Sequence, residues 1–155
     1  MARVRIALDD PRRRDVRRLL ERHAAFAFAQ SPPEHCHVLD VDELLDPAVT
    51  FVSARSNGEV VAVGALKELE PGHGELKSMH TAEDVRGQGV GRAIVDYLVE
   101  LARRRGYERV SLETGTGDPF APAQALYLGA GFTRCEPFGP YTSNPYSACM
   151  TRELA

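Results

Sequence analysis

The sequence predicts a mixed α/β fold, a central sheet flanked by helices, in the order β-α-α-β-β-β-α-β-α-β-β. Three observations predict it. Short β-rich runs alternate with segments whose apolar residues recur at helical spacing. Ser56-Asn57-Gly58 joins two such runs, Val49 to Ala54 and Glu59 to Leu66, as a hairpin. A glycine turn, Arg86-Gly87-Gln88-Gly89-Val90-Gly91-Arg92, links an extended run to a long amphipathic segment. At 155 residues, with neither a repeat nor a linker, the chain reads as one domain over residues 3–155.

Taken in order, Val4, Ile6 and Leu8 alternate with Arg3, Arg5 and Ala7 as a half-buried first strand. Asp9-Asp10-Pro11 carries acidic caps and a first-turn proline. Val16, Leu19, Leu20, His23, Phe26 and Ala27 then give one helix to about Ala29, ended by Ser31-Pro32-Pro33. Asp40 and Glu43 resemble a capping box for a short helix through Leu45. The hairpin follows, then a loop over Glu70 to Gly74 and a strand from Glu75 to Thr81. The helix after the glycine turn presents Val90, Ile94, Leu98 and Leu101 on one stripe. Arg103-Arg104-Arg105 and Gly106 mark its end, positive charge against the dipole and then a glycine cap. A strand over Tyr107 to Glu113, a short helix over Pro122 to Leu128 and strands over Phe132 to Glu136 and Ala148 to Arg152 complete the order. The loop between the last two strands, with Phe138, Tyr141 and Tyr146, is too aromatic for a plain linker.

The bulk numbers narrow the function classes. A net charge of -3 argues against coating nucleic acid. Arg12, Arg13, Arg14, Arg17 and Arg18 stand beside Asp9, Asp10, Asp15 and Glu21, which reads as a solvated helix face. Cys36, Cys135 and Cys149 are few and widely spaced, so they indicate neither a zinc site nor a disulfide framework. His35, Cys36 and His37 invite a metal reading but lack further ligands at suitable spacing, so no metal is expected. Neither an apolar leader nor a membrane-length run is seen, and a reduced cytoplasm is the expected compartment.

The glycine turn carries the first chemistry. Bare backbone at a helix start exposes free N–H groups and the positive end of the macrodipole, an anion site flanked here by Arg86 and Arg92. A P-loop would need Lys-Ser/Thr where Arg92-Ala93 stands, and a dinucleotide fingerprint would need glycine at 92. What remains is Arg-x-x-Gly-x-Gly between strand and helix. With Leu126-Tyr127-Leu128-Gly129-Ala130-Gly131-Phe132, similar to a Leu-Tyr-x-x-x-Gly-Phe signature, the sequence resembles the GCN5-related N-acetyltransferase (GNAT) superfamily over about Val4 to Leu154. Phrases such as Gly74-Glu75-Leu76-Lys77-Ser78-Met79 and Leu112-Glu113-Thr114-Gly115 resemble an uncharacterised bacterial subgroup.

The resemblance implies a mostly antiparallel sheet and acetyl-CoA as co-substrate, without a metal. It implies that amides from Gly87 through Gln88, Gly89, Val90 and Gly91 to Arg92, beside Arg86, hold the coenzyme A pyrophosphate. It also implies that Met79, His80 and Thr81 pair with the pantetheine arm as an added strand would. Acetyl transfer to an amine needs a base, oxyanion stabilisation and a proton for the thiolate. By the same resemblance Tyr127 is the candidate acid, its other reading being a core tyrosine. Glu75, eleven residues before Arg86, is the candidate base, its other reading being a carboxylate paired with Lys67 or Lys77. Glu113 is the second choice and His80 the third. Lys77, expected on one face with Glu75 and Met79, would anchor a substrate carboxylate or balance Glu75. Many relatives carry Asn where Phe120 stands, so that coenzyme contact is left unassigned.

The acceptor pocket is expected from Phe26, Phe28, His37, Phe138, Tyr141 and Tyr146, with a homodimer contact as the other use of these aromatics. The leading expectation is N-acetylation of a primary amine on a small molecule or an amino-acid-like compound, with neither nucleic acid nor membrane as partner. Acetylation of protein lysines or N-termini is the alternative enzyme, and a CoA-binding sensor or interaction module the alternative outside catalysis.

Overall fold

A computed structural model describes residues 3–30, 32 and 41–154. Seven strands, β1 (Arg5–Leu8), β2 (Val49–Ser56), β3 (Glu59–Glu70), β4 (His73–Thr81), β5 (Arg109–Gly115), β6 (Thr133–Cys135) and β7 (Ser147–Glu153), share one sheet. Their spatial order is β1-β2-β3-β4-β5-β7-β6. All neighbours run antiparallel except β4 and β5, which are parallel because a crossover joins them. The helices are α1 (Arg14–Gln30), α2 (Val41–Leu44), α3 (Val90–Arg104) and α4 (Ala121–Gly129), in the expected order and sheet class.

The crossover helix α3 forms where the 3.6-residue stripe predicts. Val90, Ile94, Val95, Leu98, Val99 and Ala102 are all buried, each large side chain contributing about 1.5–3 kcal/mol. They meet Leu66, Leu76, Leu112, Phe132 and Met150 on one side of the sheet. Gly64 lets α3 come close: a Cβ there would lie 2.7 Å from both Ile94 Cγ2 and Met79 Sδ. Arg103 and Arg104 end the helix, and Gly106 (φ 80°) closes it, donating its N–H to the Arg103 carbonyl at 3.0 Å.

On the other face, Val16, Leu19 and Leu20 of α1 pack with Leu44, Phe51, Val63 and Ala65. The helix starts at Arg14, later than its acidic caps suggest. Asp9 is taken by β2 instead, accepting from Ser53 Oγ at 2.5 Å and from Arg55 Nη2 at 2.9 Å. Arg55 also donates to Asp15 at 2.7 Å, pinning the first turn of α1 to the sheet. Those bonds hold the Asp9 and Asp15 carboxyls below the ordinary range, against the opposing effect of burial.

Two local expectations are corrected. Leu8 is 69% exposed, since β1 is the edge of the sheet among the described residues. The loop expected over Glu70 to Gly74 shrinks to a Pro71-Gly72 turn, because His73 pairs directly with Glu70 and starts β4.

Candidate active site

Strands β4 and β5 pair only from His73 against Arg109 to Leu76 against Leu112. Beyond that point they part, while β4 stays paired to β3 through Thr81. The far end of β4 therefore borders an open cleft on its β5 side. Ser78 stands at the fork in a left-handed conformation (φ 56°), where the register with β3 jumps from Val63 to Ala65. The bulge reverses the alternation of faces. Glu75 and Lys77 lie opposite α3, whereas Met79 packs beside Ile94 on the α3 side. The expected shared face of Glu75, Lys77 and Met79 is thus corrected: Lys77 lies with Glu75, Met79 does not. His80 returns to the α1 side, its ring 5.2 Å from that of His23.

A cavity of about 530 Å³ fills the fork, within the usual range of small-molecule sites. One end is the start of α3. Gly87 (φ 80°) and Gly89 (φ 84°) turn the chain, and Gly89 caps the helix with no side-chain bond and no acid in the first turn. The first N–H groups of α3 are therefore open to an anion. At Gly91 a Cβ would stand 3.1 Å from Leu126 Cδ1 and 3.2 Å from Thr81 Oγ1, so α3, α4 and β4 converge on bare backbone. The turn offers bare backbone and free N–H groups to an anion.

The side chains around the turn divide. Arg86 donates to the Thr81 carbonyl at 3.2 Å; burial, then His23 and the Arg86 charge, push His80 down to about 3. Arg92 lines the cavity but bonds Asp96 at 3.0 Å and the Gly129 carbonyl at 3.1 Å. It ties α3 to α4 while its charge stays beside the turn. Gln88 is exposed at the apex of the turn, and Val90 is buried in the core, so Val90 can offer only its amide.

At the other end Glu75 is 2% exposed. Lys77 Nζ donates to Glu75 Oε2 at 2.9 Å and to the Tyr141 hydroxyl at 2.6 Å, and Tyr141 donates in turn to Glu75 Oε2. Burial, then the Glu75 carboxylate, keeps the Tyr141 phenol protonated by raising its pKa. So Tyr141 covers Glu75, and Lys77 neutralises it. Nothing in the sequence joins residues 66 positions apart, and this contact was not legible there. Glu113 lines the same cavity and accepts from Ser147 Oγ at 2.5 Å.

Tyr127, from α4, is buried, lines the cavity and packs edge-on to Phe132 with ring centres 6.1 Å apart. Burial raises its pKa and keeps the phenol protonated. His23, pushed down to about 4 by burial, and His80 are neutral, and His80 at about 3 is a weak base. Phe120 covers the backbone of Gly115 and meets Phe26 edge-on at 5.2 Å, walling the cavity between α1 and β5. Tyr146 lines the cavity, Phe28 is exposed, and His37, His35 and Cys36 lie outside the described residues. Among the described residues no cluster of three or more His, Cys, Asp or Glu is placed to hold a metal.

Comparison with known proteins shows the family. The model of the acetyltransferase (GNAT) family matches residues 13–132. The chain is 42% identical over 151 residues to the uncharacterised N-acetyltransferase YsnE of Bacillus subtilis, covering 97% of this chain and 100% of that one. A solved structure from Klebsiella pneumoniae, described among the acyl-CoA N-acyltransferases, superposes with a TM-score of 0.79 at 28% identity, over 98% of each chain. A Bacillus subtilis acetyltransferase solved in complex with CoA has the same fold, with a TM-score of 0.74 at 19% identity, over 99% of this chain and 100% of that one. With the family model spanning most of its length and a near full-length relative above 40% identity, the chain belongs to the GNAT acetyltransferases, enzymes that move an acyl group from acetyl-CoA.

Proposed function

We propose that residues 3–155 work as one N-acetyltransferase domain that acetylates the primary amine of a small, amino-acid-like molecule. The observation that carries the acceptor reading is the depth of Glu75. It sits 2% exposed beneath Tyr141 and lines a cavity of about 530 Å³, a size that suits a small amine better than a folded protein surface. In this reading the amides from Gly87 to Arg92 hold the coenzyme pyrophosphate, and the cleft-facing backbone of Met79, His80 and Thr81 receives the pantetheine arm. Acetyl-CoA supplies the activated acyl group.

Lys77 and Tyr141 both bond Oε2 of the Glu75 carboxylate, so Oε1 is the oxygen offered to the incoming ammonium. Glu75 takes that proton, directly or through water, and the amine attacks. Lys77 and Tyr141 hold the carboxylate in place during the step. Tyr127, kept protonated by burial, donates to the departing sulfur. Glu113, fixed by Ser147, orients the ammonium.

The test is release of free CoA thiol from acetyl-CoA over a panel of amines, amino acids and peptides. Release with small amines and none with peptides is expected. Release with peptides alone selects the protein acetyltransferase reading. Binding of acetyl-CoA without release for any acceptor selects the sensor. Glu75→Gln should lower kcat/KM for the amine by about 10²–10³ and change the pH–rate profile. An unchanged profile would unseat Glu75 as base, and Tyr127→Phe at full activity would unseat the acid.

A further inference from the structure

Two of the three cysteines, apart in sequence, face each other in the sheet. Cys135 ends β6 and Cys149 lies in β7, and they are direct cross-strand partners. Both are free thiols. Directly opposed residues of an antiparallel pair hold their Cβ atoms about 4.5–5.5 Å apart, while a disulfide needs about 3.5–4.5 Å. A shift of about 1 Å closes the gap, and β6 can supply it as a three-residue strand at the edge of the described sheet, beside β7.

The pair also sits at the two feet of the loop that serves the active site. Residues 136–148 leave from Cys135 and return to Cys149, carrying Tyr141 onto Glu75 and Lys77. The Phe138 backbone N–H donates to the Cys149 sulfur, and the Phe138 ring lies 5.1 Å from that of Tyr141. On its other side Cys149 is the register partner of Glu113. A covalent change at this sulfur therefore bears on the loop that covers the candidate base. We propose that Cys135 and Cys149 form a cross-strand dithiol site that closes reversibly to a disulfide and thereby fixes the Tyr141 loop over the acceptor end of the cavity.

The oxidant is a low-molecular-weight disulfide, RSSR. The Cys135 thiolate, on the more exposed edge, attacks it, forming a mixed disulfide and releasing one RSH after proton uptake. The Cys149 thiolate then attacks the Cys135 sulfur and expels the second RSH. Two protein thiols and RSSR become one protein disulfide and two RSH. Burial raises both thiol pKa values, Cys149 to about 11, so closure is slow at neutral pH and faster in alkali.

The experiment uses the full folded chain carrying Cys36→Ser, incubated with hydroxyethyl disulfide at pH 8.5. Thiols are then counted under denaturing, non-reducing conditions and the intact mass is measured. The expected result is two thiols falling to none, a mass loss of about 2 Da and full reversal by dithiothreitol. Cross-linking a loop of this size should also raise Tm by about 5–10 °C. Two thiols remaining, or stable hydroxyethyl adducts without closure, would overturn the site. Oxidation should shift the acceptor KM at least threefold and leave acetyl-CoA affinity within twofold. An unchanged acceptor KM would overturn the link to the loop. That arm rests on the acetyl-transfer reading, whereas the thiol count does not, so the two failures are distinguishable.

Discussion

Ser78 combines two unfavourable features at one position. Its φ of 56° is one that a residue with a Cβ adopts at a cost of about 1 kcal/mol or more, and its buried hydroxyl has no hydrogen-bond partner among the described residues. Both would vanish with glycine. Ser78→Gly should therefore raise folding stability by about 0.5–1 kcal/mol, read as a higher denaturant midpoint at unchanged m. A β-branched Ser78→Val should lower it, since that side chain tolerates positive φ least. Gly115 is the opposite case, a residue whose side chain must be absent. A Cβ there would sit 2.2 Å from the Phe120 ring, so Gly115→Ala should push Phe120 off Phe26 and raise the KM for the acceptor several-fold, with a smaller change in CoA affinity.

Among the elements, α3 and α1 carry different loads. Leu98 is fully buried at the centre of the α3 stripe, so Leu98→Ala should destabilise the fold by about 2–5 kcal/mol. Helix α1 is anchored by charge at its start. Arg55→Ala would leave the nearly buried Asp9 carboxylate with only the exposed Arg13 at 3.9 Å as a cation, at a cost of about 1.5–3 kcal/mol. Because His23 and Phe26 of α1 line the cavity, the same change should weaken acceptor binding. Elements were where the sequence was most legible. The order of helices and strands, the glycine turn and the α3 stripe follow from local periodicity and from residues that punctuate it. The ends of β4 and α1 did not, because partners fix them: Glu70 opposite His73, and Arg55 drawing Asp9 away from a cap. The site was legible where motifs are contiguous, as at Gly87 to Gly91. It was illegible where β7 and its loop fold back, as for Tyr141 on Glu75 or Cys135 beside Cys149, since spacing in sequence carries no trace of that register.

For the whole molecule, buried neutral histidines set the response to acid. His23 and His80 titrate at about 4 and 3 when folded, below the ordinary 6.5. The unfolded chain then binds more protons than the folded one, so stability is full above pH 6.5 and falls as pH drops from 6.5 towards 4. Asp9 and Asp15, held low, add a further loss of the same sign below their ordinary value of 3.8. Urea unfolding at pH 7.5 and 5 should show the decline, and His23→Phe should flatten it. A slope of opposite sign would contradict the burial of these rings. Among the described residues no helix is long and apolar enough to cross a membrane.

The short join between β4 and β5 has a mechanical consequence. It is the one parallel pair among the described strands and holds four register pairs, against seven between β3 and β4 and seven between β5 and β7. The sheet is in effect two blades, β1 to β4 and β5 to β7, riveted along one short seam. Sub-global opening should run along that seam. In amide hydrogen exchange, the cleft-facing N–H groups of Met79 to Thr81 and of Glu113 to Gly115 should exchange fast in the free protein. A ligand lying across both blades should slow them together, as a splint stiffens a joint.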